Sequence, residues 1–277
     1  MLGKGAMGEV FYGIHPNLDI PIAVKTLSKA LVEDEQFVER FIKEAKMAAR
    51  LKHENAIMIY DADHDEANHF IVMEYVSGGD LSELIDKKGR LSEKEAVQIT
   101  RSVASALQAA ARFDIIHRDI KPENIMLTKE GIPKLADLGI ARQNVEGQVN
   151  TTITGVIVGT PSYLAPEQAH DSKSVDARAD IYALGCTLFK MLSGECPYMG
   201  ETALSVMMKH VNEPVPDIRM TVPEVSDGTA ELLLKMMAKK PEDRPFSAEE
   251  LISEIDRIKS EGRTPQDRKS TRLNSSH

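Results

Sequence analysis

The sequence predicts an α+β fold with a small β-rich part at the N-terminus and a larger helical part after it. Three observations support this prediction. The first 76 residues contain a glycine-rich turn and short apolar runs that are typical of strands. Further along the chain, apolar residues recur at every third or fourth position, as in amphipathic helices. With 277 residues, 42% of them hydrophobic, the chain is long enough to form two separate cores.

The composition argues against several classes of protein. A formal net charge of −9 disfavours nucleic-acid binding, because contact with phosphates requires a basic face. No run approaches the roughly 18 apolar residues of a membrane helix, and the first residues predict no signal peptide. The two cysteines, Cys186 and Cys196, are expected to be core residues in a reducing compartment rather than a disulfide.

The first element is a glycine-rich turn. Residues 3–8 followed by Val10 have the pattern G-x-G-x-x-G-x-V, in which glycines let backbone N–H groups approach phosphates. The same glycine spacing opens a helix in dinucleotide-binding folds. Here Val10, Tyr12 and Ile14 alternate as in a strand, so we expect a hairpin that covers a nucleotide.

The next elements are two strands and a helix. Residues 22–25 form an apolar strand that ends in Lys25, and residues 70–73 form another. Between them, residues 32–51 have helical periodicity. Three glutamates on this helix, Glu35, Glu39 and Glu44, are candidate partners for Lys25.

Helices dominate the rest of the chain. Residues 92–112 predict a long helix that Ser92 and Glu95 open as a capping box. Residues 181–189 form a strongly apolar helix, and a second capping box, Ser247 with Glu250, opens a last helix that extends to residue 258.

Two short segments carry the chemistry. Residues 117–124 read His-Arg-Asp-Ile-Lys-Pro-Glu-Asn, and Asp137-Leu138-Gly139 follows 13 residues after Asn124. They combine a proton acceptor, a lysine that can hold a phosphate and oxygen ligands for a divalent metal. These are the groups that transfer a phosphoryl group from a nucleotide to a hydroxyl.

These motifs, in this order over residues 2–260, resemble the catalytic domain of the eukaryotic-like (Hanks-type) bacterial serine/threonine protein kinases. The resemblance implies a bilobal protein-kinase-like fold, with an N-lobe over residues 1–76 and a C-lobe over residues 77–260. It also implies that ATP binds between the lobes with Mg²⁺, or with Mn²⁺ as an alternative. Leu138 departs from the family pattern, which has phenylalanine there, but a leucine can pack in the same place.

The resemblance assigns a role to each catalytic candidate. Asp119 accepts the proton of the substrate hydroxyl, Lys121 neutralises the γ-phosphate, and Asn124 and Asp137 hold the metal. Lys25 holds the α- and β-phosphates and pairs with Glu44, which fits the family pattern better than Glu35 or Glu39. The resemblance treats His117 as a packing and hydrogen-bonding residue rather than a general base.

The resemblance also implies a nucleotide-binding set. Met73 guards the back of the adenine pocket, the backbone of Glu74 and Val76 bonds the adenine edge, Asp80 reaches the ribose, and Met126 lies under the ring. The full set is Leu2, Gly3, Lys4, Gly5, Ala6, Met7, Gly8, Val10, Ala23, Lys25, Met73, Glu74, Val76, Asp80, Met126 and Asp137.

The expected substrates are proteins with serine or threonine acceptors. Lys121, two residues after Asp119, and Thr160 after Gly159 are typical of this class. Two alternatives are a nucleotide-binding pseudokinase that signals by interaction and a small-molecule kinase on the same fold. The intact catalytic set argues against the first, and the segment 159–167 favours protein substrates over the second. Glu167 is expected to pair with Arg244.

Residues 140–164 are expected to form a regulatory segment. Its threonines, Thr151, Thr152 and Thr154, are candidate phosphorylation sites, and Arg118 is the expected partner of a phosphate there. Self-association of the domain for trans-autophosphorylation at Thr152 and Thr154 follows as a hypothesis. The catalytic domain is expected on the cytosolic side, where ATP is, whether or not a longer parent protein is anchored in a membrane.

Both ends of the chain have unusual features. The first strand of the fold is expected to be truncated before Gly3, and residues 261–266 begin a linker. Residues 267–277 match a translated sequencing-adapter oligonucleotide, so we expect this tail to be non-native. We therefore interpret the chain as a metagenomic fragment of a longer gene.

Overall fold

A five-stranded antiparallel sheet forms the N-terminal part of the chain. The computed structural model describes residues 1–5, 8–65, 68–137, 161–170 and 175–261. The strands are β1 (Gly3–Gly5), β2 (Gly8–Ile14), β3 (Pro21–Leu27), β4 (Ile59–His64) and β5 (His69–Glu74), in the spatial order β1-β2-β3-β5-β4. The strands expected around residues 10–14, 22–25 and 70–73 are therefore present.

A helix covers one face of this sheet. Helix α2 (Glu35–Ala48) buries Phe37, Phe41, Ala45 and Ala48 in the core. The expectation of one continuous helix from residue 32 was wrong, since Val32 ends a separate turn, α1 (Lys29–Val32). The side chain of Asp34 accepts a hydrogen bond from the backbone N of Phe37 at 3.0 Å, so α2 begins after this cap.

The segment 53–58 connects the sheet to the helical part. It lies against a hairpin of two short strands, β6 (Ile125–Leu127) and β7 (Pro133–Leu135). Leu135 donates its backbone N–H to the carbonyl of Asn55 at 2.8 Å and accepts one from Ile57 at 2.9 Å. Backbone hydrogen bonds thus attach the N-terminal part directly to the hairpin.

The C-terminal part is helical. Its longer helices among the described residues are α3 (Leu81–Lys88), α4 (Glu93–Ala111), α6 (Arg178–Ser193), α7 (Ala203–Asn212), α8 (Asp227–Met236) and α9 (Ala248–Glu261), with a short α5 (Pro166–His170). The predicted helix over residues 92–112 is confirmed, with Ser92 and Glu95 in a reciprocal capping box. Helix α6 is buried on nearly every side and forms the centre of this part.

No helix in the described ranges combines the length and the apolar composition that crossing a bilayer requires.

A buried ion pair joins the start of α5 to the segment before α9. Both terminal nitrogens of Arg244 contact the carboxylate of Glu167, at 2.6 and 2.8 Å, which confirms the predicted pair. The side chain of Arg244 is fully buried. It also donates to the carbonyls of Ala238, Arg178 and Lys239 and lies over the ring of Tyr182. Every guanidinium nitrogen therefore has a partner in the interior.

We predict that Arg244→Met lowers the free energy of unfolding by about 3 to 5 kcal/mol, because it leaves the Glu167 carboxylate unpaired at a buried site. Urea denaturation followed by circular dichroism measures this loss. Arg101→Met is the matched control, since Arg101 makes the same two-nitrogen contact with Asp256 at a solvent-exposed position. It should lose about 1 kcal/mol or less. Equal losses in the two variants would contradict the prediction.

Candidate active site

A cavity of about 400 Å³ lies between the sheet and the helical part. Its walls come from β1, β2, β3 and β5, from the connection 74–80 after β5, and from the β6–β7 hairpin with the residues that follow it. Eleven predicted site residues line it: Leu2, Gly3, Val10, Ala23, Met73, Glu74, Val76, Asp80, Asn124, Met126 and Asp137. The structure thus brings together residues from four separate stretches of sequence.

The glycine-rich turn is a hairpin between β1 and β2, in which Gly5 pairs with Gly8. Lys4, Gly5 and Gly8 belong to this hairpin without lining the cavity, and Ala6 and Met7 lie outside the described residues. Gly8 has a φ of +150°, and a Cβ there would be 1.7 Å from the carbonyl oxygen of Thr26. Only glycine fits this position.

Sequence reasoning missed several residues of the cavity wall. They are Ile57, Tyr75, Ser77, Gly79, Glu83, Glu123 and Ala136. Most are neighbours of predicted residues, so extending each motif by one or two positions would have found them. Ile57 is different, because it belongs to the connection 53–58, which carries no periodic pattern and no recognisable motif.

A buried carboxylate, that of Asp180, binds the backbone of the segment 117–124, which we call the catalytic loop. Asp180, on α6, accepts hydrogen bonds from the backbone N of His117 at 2.8 Å and of Arg118 at 2.7 Å. Burial raises the pKa of Asp180, and the two backbone donors and the charge of Arg118 oppose that shift. Arg118 has a φ of +64°, an unfavourable conformation for a side chain with a Cβ. The two hydrogen bonds to Asp180 stabilise it.

His117 uses both of its ring nitrogens inside the protein. Its side chain is buried, Nδ1 accepts from the backbone N of Asp119 at 3.2 Å, and Nε2 is 2.7 Å from the carbonyl oxygen of Ala136. Since Nδ1 accepts, Nε2 must carry the proton and donate it. This arrangement supports the interpretation of His117 as a packing and hydrogen-bonding residue, and it connects Asp119 with the residue before Asp137.

Asp119 lies among the groups expected beside a general base. Nδ2 of Asn124 donates to the Asp119 carboxylate at 2.9 Å and to its backbone carbonyl at 2.8 Å. Nζ of Lys121 is 3.2 Å from Oδ2 of Asp119. These contacts hold the carboxylate in one orientation and leave its side chain partly exposed.

Lys25 has a different partner from the expected one. Its Nζ is 2.7 Å from Oδ1 of Asp137, and among the described residues this is its ion pair, so the expected pair with Glu44 is not formed. Burial acts to raise the pKa of Asp137, but the positive charge and the hydrogen bond of Lys25 outweigh it. The pKa of Asp137 is therefore held below its ordinary value. The proposed role of Glu44 stays a prediction.

Asn124 and Asp137 fit a divalent metal of the Mg²⁺ type. Both line the cavity, and the backbone N of Ala136 donates to the carbonyl of Asn124 at 2.8 Å, which holds the two segments side by side. Because Nδ2 of Asn124 donates to Asp119, the amide oxygen is the atom that can face a cation. An amide oxygen and an ionised carboxylate are hard ligands, which Mg²⁺ prefers. No cluster of three or more acidic, histidine or cysteine side chains suited to a metal occurs among the described residues.

Comparison with known sequences identifies related proteins. Residues 1–254 match the protein kinase domain family. The serine/threonine-protein kinase PknB of Mycolicibacterium smegmatis is 37% identical over 270 residues, which are 96% of this chain and 43% of that protein. A probable serine/threonine-protein kinase of Streptomyces coelicolor is also 37% identical, over 92% of this chain and 38% of that protein. The chain thus spans less than half the length of these two relatives.

Solved structures show the same fold. The kinase domain of Mycobacterium tuberculosis PknI superimposes with a TM-score of 0.73 at 31% identity, covering 93% of this chain and 93% of that one. A structure of Rad53 in complex with AMP-PNP superimposes with a TM-score of 0.76 at 23% identity, over 91% of this chain and 62% of that one. The second likeness concerns the fold alone.

The lowered pKa of Asp137 predicts how acid affects stability. A carboxylate whose pKa is lower in the folded state contributes stability that is present above its ordinary pKa of about 4 and is lost as the pH falls through the folded value. Between about pH 6 and pH 2, the unfolding free energy of Asp137→Asn should therefore fall less than that of the parent. Urea denaturation at each pH measures it. Lys25→Met removes the same ion pair and leaves burial to raise the pKa of Asp137, so its curve should be at least as shallow as that of Asp137→Asn. Curves parallel to the parent's in both variants would contradict this.

Proposed function

The chain belongs to the protein kinase domain family, and on that premise we propose that it transfers the γ-phosphoryl group of ATP to serine or threonine hydroxyls of proteins. The observation that carries the proposal is the group formed by Asp119, Lys121, Asn124 and Asp137, of which Asn124 and Asp137 line the cavity. The Asp119 carboxylate lies within hydrogen-bonding distance of Lys121 and Asn124, and the Asp137 carboxylate pairs with Lys25. Phosphoryl transfer depends mainly on such positioning and charge neutralisation.

The apolar end of the cavity suits an adenine ring. Ala23 and Met73 are neighbours across β3 and β5 and are almost fully buried, and Met126 lines the opposite wall. We propose that adenine lies between them and that backbone groups of Glu74 and Val76 bond its edge. Asp80, at the end of the same connection, is then placed near the ribose.

In the proposed reaction, Asp119 orients the acceptor hydroxyl and takes its proton as the oxygen attacks the γ-phosphorus. Lys121 balances negative charge on the transferred group. Lys25 holds the α- and β-phosphates, which requires its ammonium group to exchange Asp137 for phosphate oxygens. Mg²⁺, held by Asn124 and Asp137, would neutralise the phosphate oxygens; Mn²⁺ has the same preference for oxygen ligands.

Two alternatives remain distinguishable. A pseudokinase would bind the nucleotide without transfer, and the complete set Lys25, Asp119, Asn124 and Asp137 argues against it. A small-molecule kinase would use the same cavity, but two of the chain's relatives are named serine/threonine-protein kinases. We therefore favour protein substrates. We also propose that the domain lies on the cytosolic side, where ATP is.

Regulation by phosphorylation is a further part of the proposal. The threonines Thr152 and Thr154 lie outside the described residues, so the structure adds nothing about them. Arg118 adjoins Asp119, and a phosphothreonine that docked on it would connect the regulatory segment to the catalytic loop. We propose that a second copy of the domain carries out this phosphorylation in trans.

We predict that Asp119→Asn lowers the rate of phosphate transfer by about 10²- to 10⁴-fold, because an amide cannot accept the hydroxyl proton. The assay measures transfer of label from [γ-³²P]ATP with Mg²⁺ to a basic protein such as myelin basic protein. The hydrogen bond from Asn124 can be kept by the new amide oxygen, so ATP affinity should change little.

Asp256→Asn, which alters a surface carboxylate on α9, is the control and should keep the parental rate. ATP binding by the parent with no transfer to any protein would support the pseudokinase alternative. Transfer to an aminoglycoside or a sugar, but not to protein, would support the small-molecule alternative.

We also predict that Thr152→Ala combined with Thr154→Ala lowers activity towards an added protein by at least about tenfold, because the phosphate that would bind Arg118 cannot form. Mass spectrometry of the parent after incubation with ATP should find phosphate on one or both threonines. A catalytically inactive Asp119→Asn chain, mixed with the active parent, should become labelled on the same residues. An unphosphorylated parent with full activity would refute this part of the proposal.

A further inference from the structure

We propose that Lys134 is a positioning residue for the nucleotide. Through its ion pair with Glu74, it fixes the start of the connection 74–80, which would face adenine, relative to the β6–β7 hairpin. This hairpin forms the floor of the cavity. This inference rests on the proposed binding of ATP in the cavity. Lys134 is not among the described residues that line the cavity, so it would act through Glu74 and not by contact.

The ion pair is close and partly buried. Nζ of Lys134 is 3.0 Å from Oε1 and 3.1 Å from Oε2 of Glu74, and the two side chains are 14% and 22% exposed. Oε2 of Glu74 also accepts from the backbone N of Met58 at 3.2 Å, and the backbone N of Glu74 donates to the carbonyl of Met58 at 2.8 Å. One carboxylate therefore connects the end of β5, the segment 53–58 and the β6–β7 hairpin.

Lys134 belongs to the structural unit that forms the cavity floor. In the register of β6 and β7 it lies directly opposite Met126, which we place under the adenine. Asp137, the proposed metal ligand, follows three residues later on the same segment. Lys134 therefore belongs to the segment that includes the cavity floor and Asp137. Glu74 belongs to the connection 74–80, whose backbone would bond adenine.

The other end of the connection is held in a different way. The backbone N of Gly78 donates to the carbonyl of Leu127, and the backbone N of Leu127 donates to the carbonyl of Gly79, both at 2.9 Å. Asp80 and Met126 form an isolated bridge. Backbone hydrogen bonds thus attach residues 78–80 to β6, whereas the attachment of Glu74 to β7 is a side-chain ion pair.

This asymmetry explains why one lysine can matter for binding. Val76, whose backbone we expect to meet adenine, lies between the two attachments, two residues from Glu74 and two from Gly78. If the ion pair is removed, the backbone hydrogen bonds of Glu74 to Met58 and of residues 78–80 to β6 remain, so the fold persists, while the start of the connection loses its direct attachment to β7. A binding edge that must be ordered again when the ligand binds gives weaker affinity.

The test measures binding of adenosine and of MgATP to the full chain by isothermal titration calorimetry. Adenosine is the decisive probe, because it has no phosphates and so does not depend on Lys25, Lys121 or the metal. We expect Lys134→Met to weaken adenosine and MgATP by a similar factor, about tenfold. In the kinase assay, the KM for ATP should rise by about the same factor, while kcat at saturating ATP stays near the parental value.

Two variants provide matched controls. Lys134→Arg keeps the charge and the hydrogen-bond donors and should retain affinity close to the parent's. Lys88→Met removes another lysine ion pair, with Glu95, at an exposed site away from the cavity, and should have no effect. If Lys134→Met does not fold, Glu74→Gln serves instead, because it removes the charge while keeping a hydrogen-bonding side chain. Weaker adenosine binding by Lys134→Met, together with near-parental binding by Lys134→Arg, would support the inference.

The outcomes separate this inference from the proposed function. If the parent binds adenosine and folded Lys134→Met, or Glu74→Gln in its place, binds it equally well, the inference is overturned and the proposed function stands. A fall in kcat with unchanged affinity would also overturn it. If the parent itself binds neither adenosine nor MgATP, the proposed function fails, and the inference fails with it.

Discussion

The active site depends on one buried carboxylate, that of Asp180. Helix α6 is packed on nearly every side, so its position is set by the core of the helical part. Asp180 fixes the catalytic loop to this helix, because two backbone N–H groups of the loop donate hydrogen bonds to its carboxylate oxygens. The loop then orients Asp119, and through His117 and Ala136 it connects to Asp137. Hydrogen bonds thus fix the positions of Asp119 and Asp137 relative to the buried helix α6.

Much of this arrangement could be predicted from the sequence. The helix over residues 92–112 was predictable because its periodicity is long and its first turn carries a capping box. The β6–β7 hairpin and the segment 53–58 were not, since strands of three residues and an irregular connection leave no periodic signal. The start of α2 was misplaced because Asp34 was counted within the helical periodicity, although aspartate is a preferred N-cap residue and here caps α2. Motifs identified the candidate catalytic groups, but only the fold could reveal how Lys134 and Ile57 relate to them.

The ion pair of Lys25 with Asp137 shows that knowing which residues form a site does not establish which of their charges pair. The sequence predicts lysines and several carboxylates in one site, but it does not determine which carboxylate pairs with the ammonium group of Lys25. Here Asp137 binds it at 2.7 Å, so a group suited to phosphate and a group suited to metal neutralise each other. Entry of a polyphosphate with its cation would satisfy both charges at once and so need not leave either one buried and unpaired.

Glycine at two positions, Gly8 and Gly78, is required by the space available for a side chain and not by backbone flexibility. A Cβ at Gly8 would overlap the carbonyl of Thr26, and a Cβ at Gly78 would lie 2.4 Å from the carbonyl of Leu127. At both positions the obstacle is backbone, which cannot move aside as a side chain can. In a library of random variants, these positions should therefore tolerate no replacement, even alanine, however well the rest of the chain is stabilised. Gains in overall stability would widen the range of acceptable sequences elsewhere but not here.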